Sequence, residues 1–239
     1  MALPCRSLHE SCVWLRLLVL FESRLEGVAQ DPIQVWYGKA NPCLTTIGRA
    51  ESQKAASNLS FYQPRFTIRV MPHPQPNEAA PYYSRYIDLI PGDDILGELT
   101  SQLQDTNAFL GAISDEQSLR SYSPGKWTIR QVVNHVNDGE RVFLGRALWF
   151  ARGFQDALPS FDQDICVAAA GANEMSWSRL REEFENVRKS TISFFQNLSP
   201  DAWMRTGVAS DNPFTVNALA YIIAGHLAHH RNVIAERYL

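Results

Sequence analysis

The sequence predicts an all-α fold of four helices, with a long crossover between the second and the third. Three observations support it. Beyond about residue 93, apolar residues recur at spacings of three and four in four separate stretches, the period of an amphipathic helix. Capping and turn residues punctuate those stretches. The connection from Gly153 to Glu174 is longer than most loops inside a compact domain, and in an all-α fold such a link marks a crossover or a functional segment.

Taken in order, helix one is predicted from Asp94 to Ile113, capped by Asp93, with a stripe of Ile95, Leu96, Leu99, Leu103 and Leu110. Ser123-Pro124-Gly125 is a turn signal. Thr128 with Gln131 forms a T-x-x-Q capping box that opens helix two. Its stripe runs from Ile129 and Val132 to Phe150, and Gly153 suits its C-terminal end near Arg152. Helix three spans Ser176 to Leu198, with Trp177, Leu180, Phe184, Val187 and Phe194 on one face. Ser199-Pro200 starts a short extra turn at Asp201 to Met204. Helix four spans Thr215 to Tyr238.

The last helix carries the functional question. It reads AYIIAGHLAHHRNVIAERYL from Ala220 to Leu239 and holds three of the six histidines: His226, His229 and His230. At about 100° per residue, His226 and His230 fall within about 20° of the centre of the apolar stripe, and His229 falls about 80° away at its edge. Two imidazoles one turn apart can aim nitrogens at one cation. They can equally be core histidines satisfied by hydrogen bonds or water. His135, at the edge of the helix-two stripe, offers a third nitrogen. Three histidines leave a fourth position open, as in catalytic rather than structural zinc sites. Asp138, one turn on, is a candidate acceptor for a ligand's free N–H.

The runs SPGKWTIRQVVNHVNDGERVFLGRALWFARG, LPSFDQD and ALAYIIAGHLAHHRNVIAERYL, in this order, closely resemble the DinB-like superfamily, in its DinB/YfiT-like branch. The resemblance spans about residues 80 to 239. It implies a four-helix bundle holding a divalent metal, zinc or nickel, on His135, His226 and His230, with His229 as a spacer. It also implies a small-molecule substrate and chemistry that uses a low-molecular-weight thiol, with metal-dependent hydrolysis as the alternative. Cys166 departs from the family pattern at a position where an aromatic is common, which bears on the pocket lining rather than on the metal. Trp127 is expected at the mouth of the pocket. Arg141 and Arg146 can meet the carboxylates of a thiol cofactor, although each reads more simply as a solvated helix charge. Tyr82, Tyr83 and Tyr86 are candidates to close the site, and Asp162 and Asp164 to orient a substrate or cap a turn. A non-catalytic, metal-stabilised binding module, linked to stress, competes with the enzyme reading. Three ligands rather than four favour the enzyme.

The rest of the chain sets bounds. It has 239 residues, 45% of them hydrophobic, and a formal charge of −3. No basic excess calls for nucleic acid. There are no E-x-x-H pairs of a di-iron bundle and no G-x-S-x-G elbow. CVWLRLLVLF is far shorter than the roughly 20 residues of a bilayer span and lacks a cleavage site, so a membrane is not expected. Cys166 is alone in the helical part, whereas Cys5, Cys12 and Cys43 lie near the N-terminus. This pattern fits a reducing cytoplasm without a disulfide framework. Residues 1–70 show no sustained period and read as a disordered extension or as upstream reading frame before a start at Met71, leaving 71–239 as the domain. A homodimer is a further expectation.

Overall fold

The computed structural model describes residues 71–239. The expectation for residues 1–70 lies outside them. Among the described residues there are seven α-helices: α1 (Ser84–Ile87), α2 (Ile95–Gly111), α3 (Asp115–Ser118), α4 (Ile129–Ala151), α5 (Gln163–Ala170), α6 (Trp177–Gln196) and α7 (Val216–Arg237). A two-stranded antiparallel hairpin, β1 (Thr206–Ala209) and β2 (Asn212–Thr215), precedes α7. The four long helices, α2, α4, α6 and α7, are the predicted four.

Their ends follow capping chemistry. The Thr128 hydroxyl accepts from Gln131 N (3.2 Å), and Gln131 Oε1 accepts from Thr128 N (2.9 Å), so the predicted capping box opens α4. The cap of α2 is Asp94, not Asp93; its carboxylate accepts from Gly97 N at 2.9 Å. Asp93 instead accepts from the backbone N–H of His73, tying down the segment that leads into the bundle.

The order around the bundle differs from the simplest expectation. α4 packs on α6 and α7, and α2 packs on the same two helices. Helices adjacent in sequence, α2 with α4 and α6 with α7, therefore sit across the bundle from each other. The long crossover from Arg152 to Ser176 is present, but it joins neighbours, and its length is used to run over one side of α4. Besides the single-turn α3, two features within the connections were not foreseen. One is α5, capped by Asp162, which accepts from Asp164 N and Ile165 N at 2.9 and 3.0 Å. The other is the hairpin. Its turn residues Ser210 and Asp211 have φ of 50° and 60°, the left-handed geometry of a two-residue turn. Without glycine there, the sequence carries no strong hairpin signal.

Two apolar clusters fill the interior. One is built around Leu99, Phe150, Trp203, Phe214 and Tyr221, the other around Leu110, Val133, Trp177, Phe184 and Leu227. The first three turns of α7 are buried on every face, from Val216 to Leu227, because α1 covers the side that the bundle leaves open.

Candidate metal centre

The contact between α4 and α7 brings His135, His226 and His230 together. His226 Nε2 lies 3.1 Å from His135 Nε2 and 3.1 Å from His230 Nε2. His135 and His226 are buried and His230 half-buried. His229 is not part of the group; its ring packs on Tyr86 and His230.

Space for this cluster comes from glycines. A Cβ on Gly139 would stand 2.9 Å from His226 Cε1, so only glycine lets the imidazole lie against α4. Gly139 is four residues after His135 and therefore on the same face. A Cβ on Gly225 would stand 2.0 Å from the backbone oxygen of Tyr86. Glycine there lets α1 press onto α7 and sets the Tyr86 ring edge-on to His226, centroids 5.4 Å apart. Neither glycine was singled out from sequence. The signal was there, since a glycine inside a helix costs about 1 kcal/mol relative to alanine and wants a packing reason.

The residues fit a divalent ion. Nitrogens at about 2.0–2.1 Å from a tetrahedral zinc lie about 3.3 Å from one another, close to the spacing seen. Hydrogen bonds satisfy the trio less well, because one in-plane lone pair on His226 Nε2 faces two neighbours at the same distance. Burial also holds the rings neutral, the state ligation needs. Desolvation pushes His135 down to about 4 and His230 to about 3, and carries His226 well below its usual value. Asp164, from α5, opposes this slightly at His135.

The sequence comparison settles the family. The DinB superfamily model matches residues 98–234, more than half of the chain. This protein belongs to the DinB superfamily. Among solved structures, YfiT from Bacillus subtilis, described as a probable metal-dependent hydrolase with an unusual four-helix bundle topology, is similar with a TM-score of 0.52. It is 16% identical, over 70% of this chain and 91% of its own, a likeness that speaks for the fold alone. No curated protein matches the chain.

Within this DinB bundle the remaining candidates divide. Trp127 stacks obliquely on His135, centroids 5.1 Å apart, and lines a cavity of about 460 Å³ with His230, Asp164, Lys126 and Arg237. A second cavity, about 260 Å³, reaches His135 and His226 and is walled by Tyr82, Tyr83 and Tyr86. Asp138 is not joined to any histidine. Its carboxylate accepts from Asn134 at 2.8 Å and pairs with Arg141, and burial raises its pKa. His135 Nδ1 has no hydrogen-bond partner among the described residues. Arg141 points to α6, where it pairs with Glu183 at 2.7 Å, the solvated arrangement its position suggests. Arg146, for which a solvated helix charge was the simpler reading and a carboxylate partner the other, is 4% exposed and lines the smaller cavity. Cys166 is half-buried on α5 and lines neither cavity.

A polar layer missed entirely from sequence supports the site. Arg188 of α6, fully buried, donates to Glu140 Oε2 (2.8 and 3.2 Å) and to Gln102 Oε1 (3.0 Å). Gln102 in turn donates to the backbone oxygen of Ala224, two residues before His226. All four long helices are thus tied at the level between the two apolar clusters.

Proposed function

We propose that this chain is a metal-dependent enzyme of the DinB superfamily in which His135, His226 and His230 hold a zinc or nickel ion and a small thiol is transferred to an electrophile. One observation carries the reading: the Nε2 atoms of two buried histidines and one half-buried histidine converge, and no fourth protein ligand joins them among the described residues. A divalent ion on three neutral imidazoles keeps its full charge, acts as a Lewis acid and lowers the pKa of a thiol or water that meets it.

The chain's own groups do the rest. The two cavities reach the histidines from different directions, one past His135 and His226, the other past His230 and Trp127. Separate approaches suit a reaction of two substrates. Tyr86 and Phe143 pack on the His226 ring and keep bulk water from that face. No helix among the described residues is long and apolar enough to cross a membrane, which accords with small-molecule substrates met in water.

Hydrolysis is the second reading, favoured by the description of the structurally similar YfiT. The zinc-loaded protein, assayed with cysteine and 1-chloro-2,4-dinitrobenzene and separately with p-nitrophenyl acetate, separates the two. The transferase reading expects thiol consumption that His226→Ala abolishes. Ester cleavage without thiol, lost in the same variant, would replace it with hydrolysis.

A further inference from the structure

Three arginines are buried among the described residues: Arg130, Arg146 and Arg188. Two have their acid, Arg188 with Glu140 at 2.8 Å and Arg130 with Asp115 at 2.8 Å. Arg146 has none within 4 Å among the described residues. Its Nη2 donates to the backbone oxygen of Pro159 (3.1 Å) and to Ser210 Oγ (3.0 Å). Nε and Nη1 have no hydrogen-bond partner among the described residues, and the side chain lines the 260 Å³ cavity that ends on His135 and His226. A guanidinium keeps its charge in proteins, so a buried one without a counter-ion bears an uncompensated desolvation cost.

We propose that this cavity takes a small carboxylic acid whose carboxylate docks on Arg146 and whose reacting end faces His135 and His226. The proposal names the substrate class for the metal centre proposed above and rests on that reading for the identity of the reacting end.

Several features fix the class. Arg146 is the one charged side chain among the described residues that line the cavity, and its free Nε and Nη1 suit the two oxygens of a planar carboxylate. Ser210 Oγ accepts from the guanidinium and retains its own proton to donate to the same carboxylate. The fold goes to some length to place it: Ser210 sits at φ 50°, a strained conformation for a residue with a side chain. Its backbone N–H is anchored on Leu158 O, beside the Pro159 carbonyl that holds the same Nη2. Crossover and hairpin turn thus grip one guanidinium from two sides.

Between the two ends the walls are aromatic: Tyr82, Tyr83, Tyr86, Phe143 and Phe161. They suit an apolar middle. The Arg146 Cζ stands 5.9 Å from the Phe143 centroid, and that ring stands 5.8 Å from His226, so the guanidinium and the imidazole are closer than the sum of these. A volume of 260 Å³ lies below the about 300–1,000 Å³ of sites for drug-sized ligands, so the occupant is small.

The test is calorimetry on the full chain, with its zinc content measured alongside. The probes are 3-phenylpropanoate, the neutral 3-phenylpropanol and inorganic phosphate. The acid is expected to bind at least tenfold more tightly than the alcohol, and Arg146→Met to remove that preference while zinc content stays unchanged. Equal binding of acid and alcohol by the wild type overturns the proposal without recourse to any variant. So does phosphate binding as tightly as the acid. Acid binding that survives Arg146→Met but vanishes on zinc removal puts the carboxylate on the metal instead, and also overturns it. Acid binding that needs Arg146 in a protein that takes up no zinc would uphold the anion site and reject the metal centre, so the two readings fail separately.

Discussion

At the scale of single residues, the site depends on one missing methyl group. Gly139 leaves room for His226, and alanine there would bring Cβ to 2.9 Å from Cε1. Gly139→Ala is expected to cost about 10–100-fold in zinc affinity, the range for groups that orient a ligand. Helix propensity alone would favour alanine by about 1 kcal/mol, so a zinc titration beside thermal unfolding of the metal-free protein separates the two effects. The histidines set a second expectation. In the unfolded chain they titrate near 6.5; in the folded chain burial holds His135 at about 4 and His230 at about 3. Between those values the unfolded state binds more protons. Metal-free stability is therefore insensitive to these groups above about pH 6.5 and falls as pH drops from there toward 4. Zinc affinity of the folded chain should hold at pH 6 rather than fail near 6.5, where exposed histidines would lose it. Urea unfolding at pH 7 and pH 5, with zinc titrations at pH 7 and 6, checks both.

At the scale of elements, the helices and their caps were legible in the sequence because local chemistry decides them. Thr128 with Gln131 reads as a capping box and is one. The pairing of His226 with His230 was legible because a helix places residues four apart on one face. What could not be read depends on contacts far apart in the chain. Gln102, Glu140 and Arg188 each look like a solvated polar residue on its own helix; only packing joins them into a buried layer. The burial of Arg146 was hidden for the same reason, since its partners Pro159 and Ser210 lie in connections with no periodic signal. Arg188→Met is expected to destabilise by about 3–5 kcal/mol in urea unfolding, because it leaves Glu140 buried and unpaired, whereas replacing Glu140 by leucine as well should recover most of the loss. Arg141→Ala is the contrast. Its pairs with Asp138 and Glu183 are partly exposed, so stability should change by no more than about 1 kcal/mol and zinc content not at all.

For the whole molecule, the bundle order gives the site its function. Because α4 and α7 are direct neighbours although far apart in sequence, histidines from both converge on one point, and an ion held there would tie the two helices together. Binding should therefore raise the unfolding temperature with zinc concentration. The measurement that tests the metal centre most directly is the zinc content of the purified, zinc-equilibrated chain beside four single alanine variants. About one zinc per chain is expected in the wild type and in His229→Ala, with most of it lost in His135→Ala, His226→Ala and His230→Ala. A wild type that takes up no zinc, or a His229→Ala protein that alone loses it, would contradict the assignment and the function built on it.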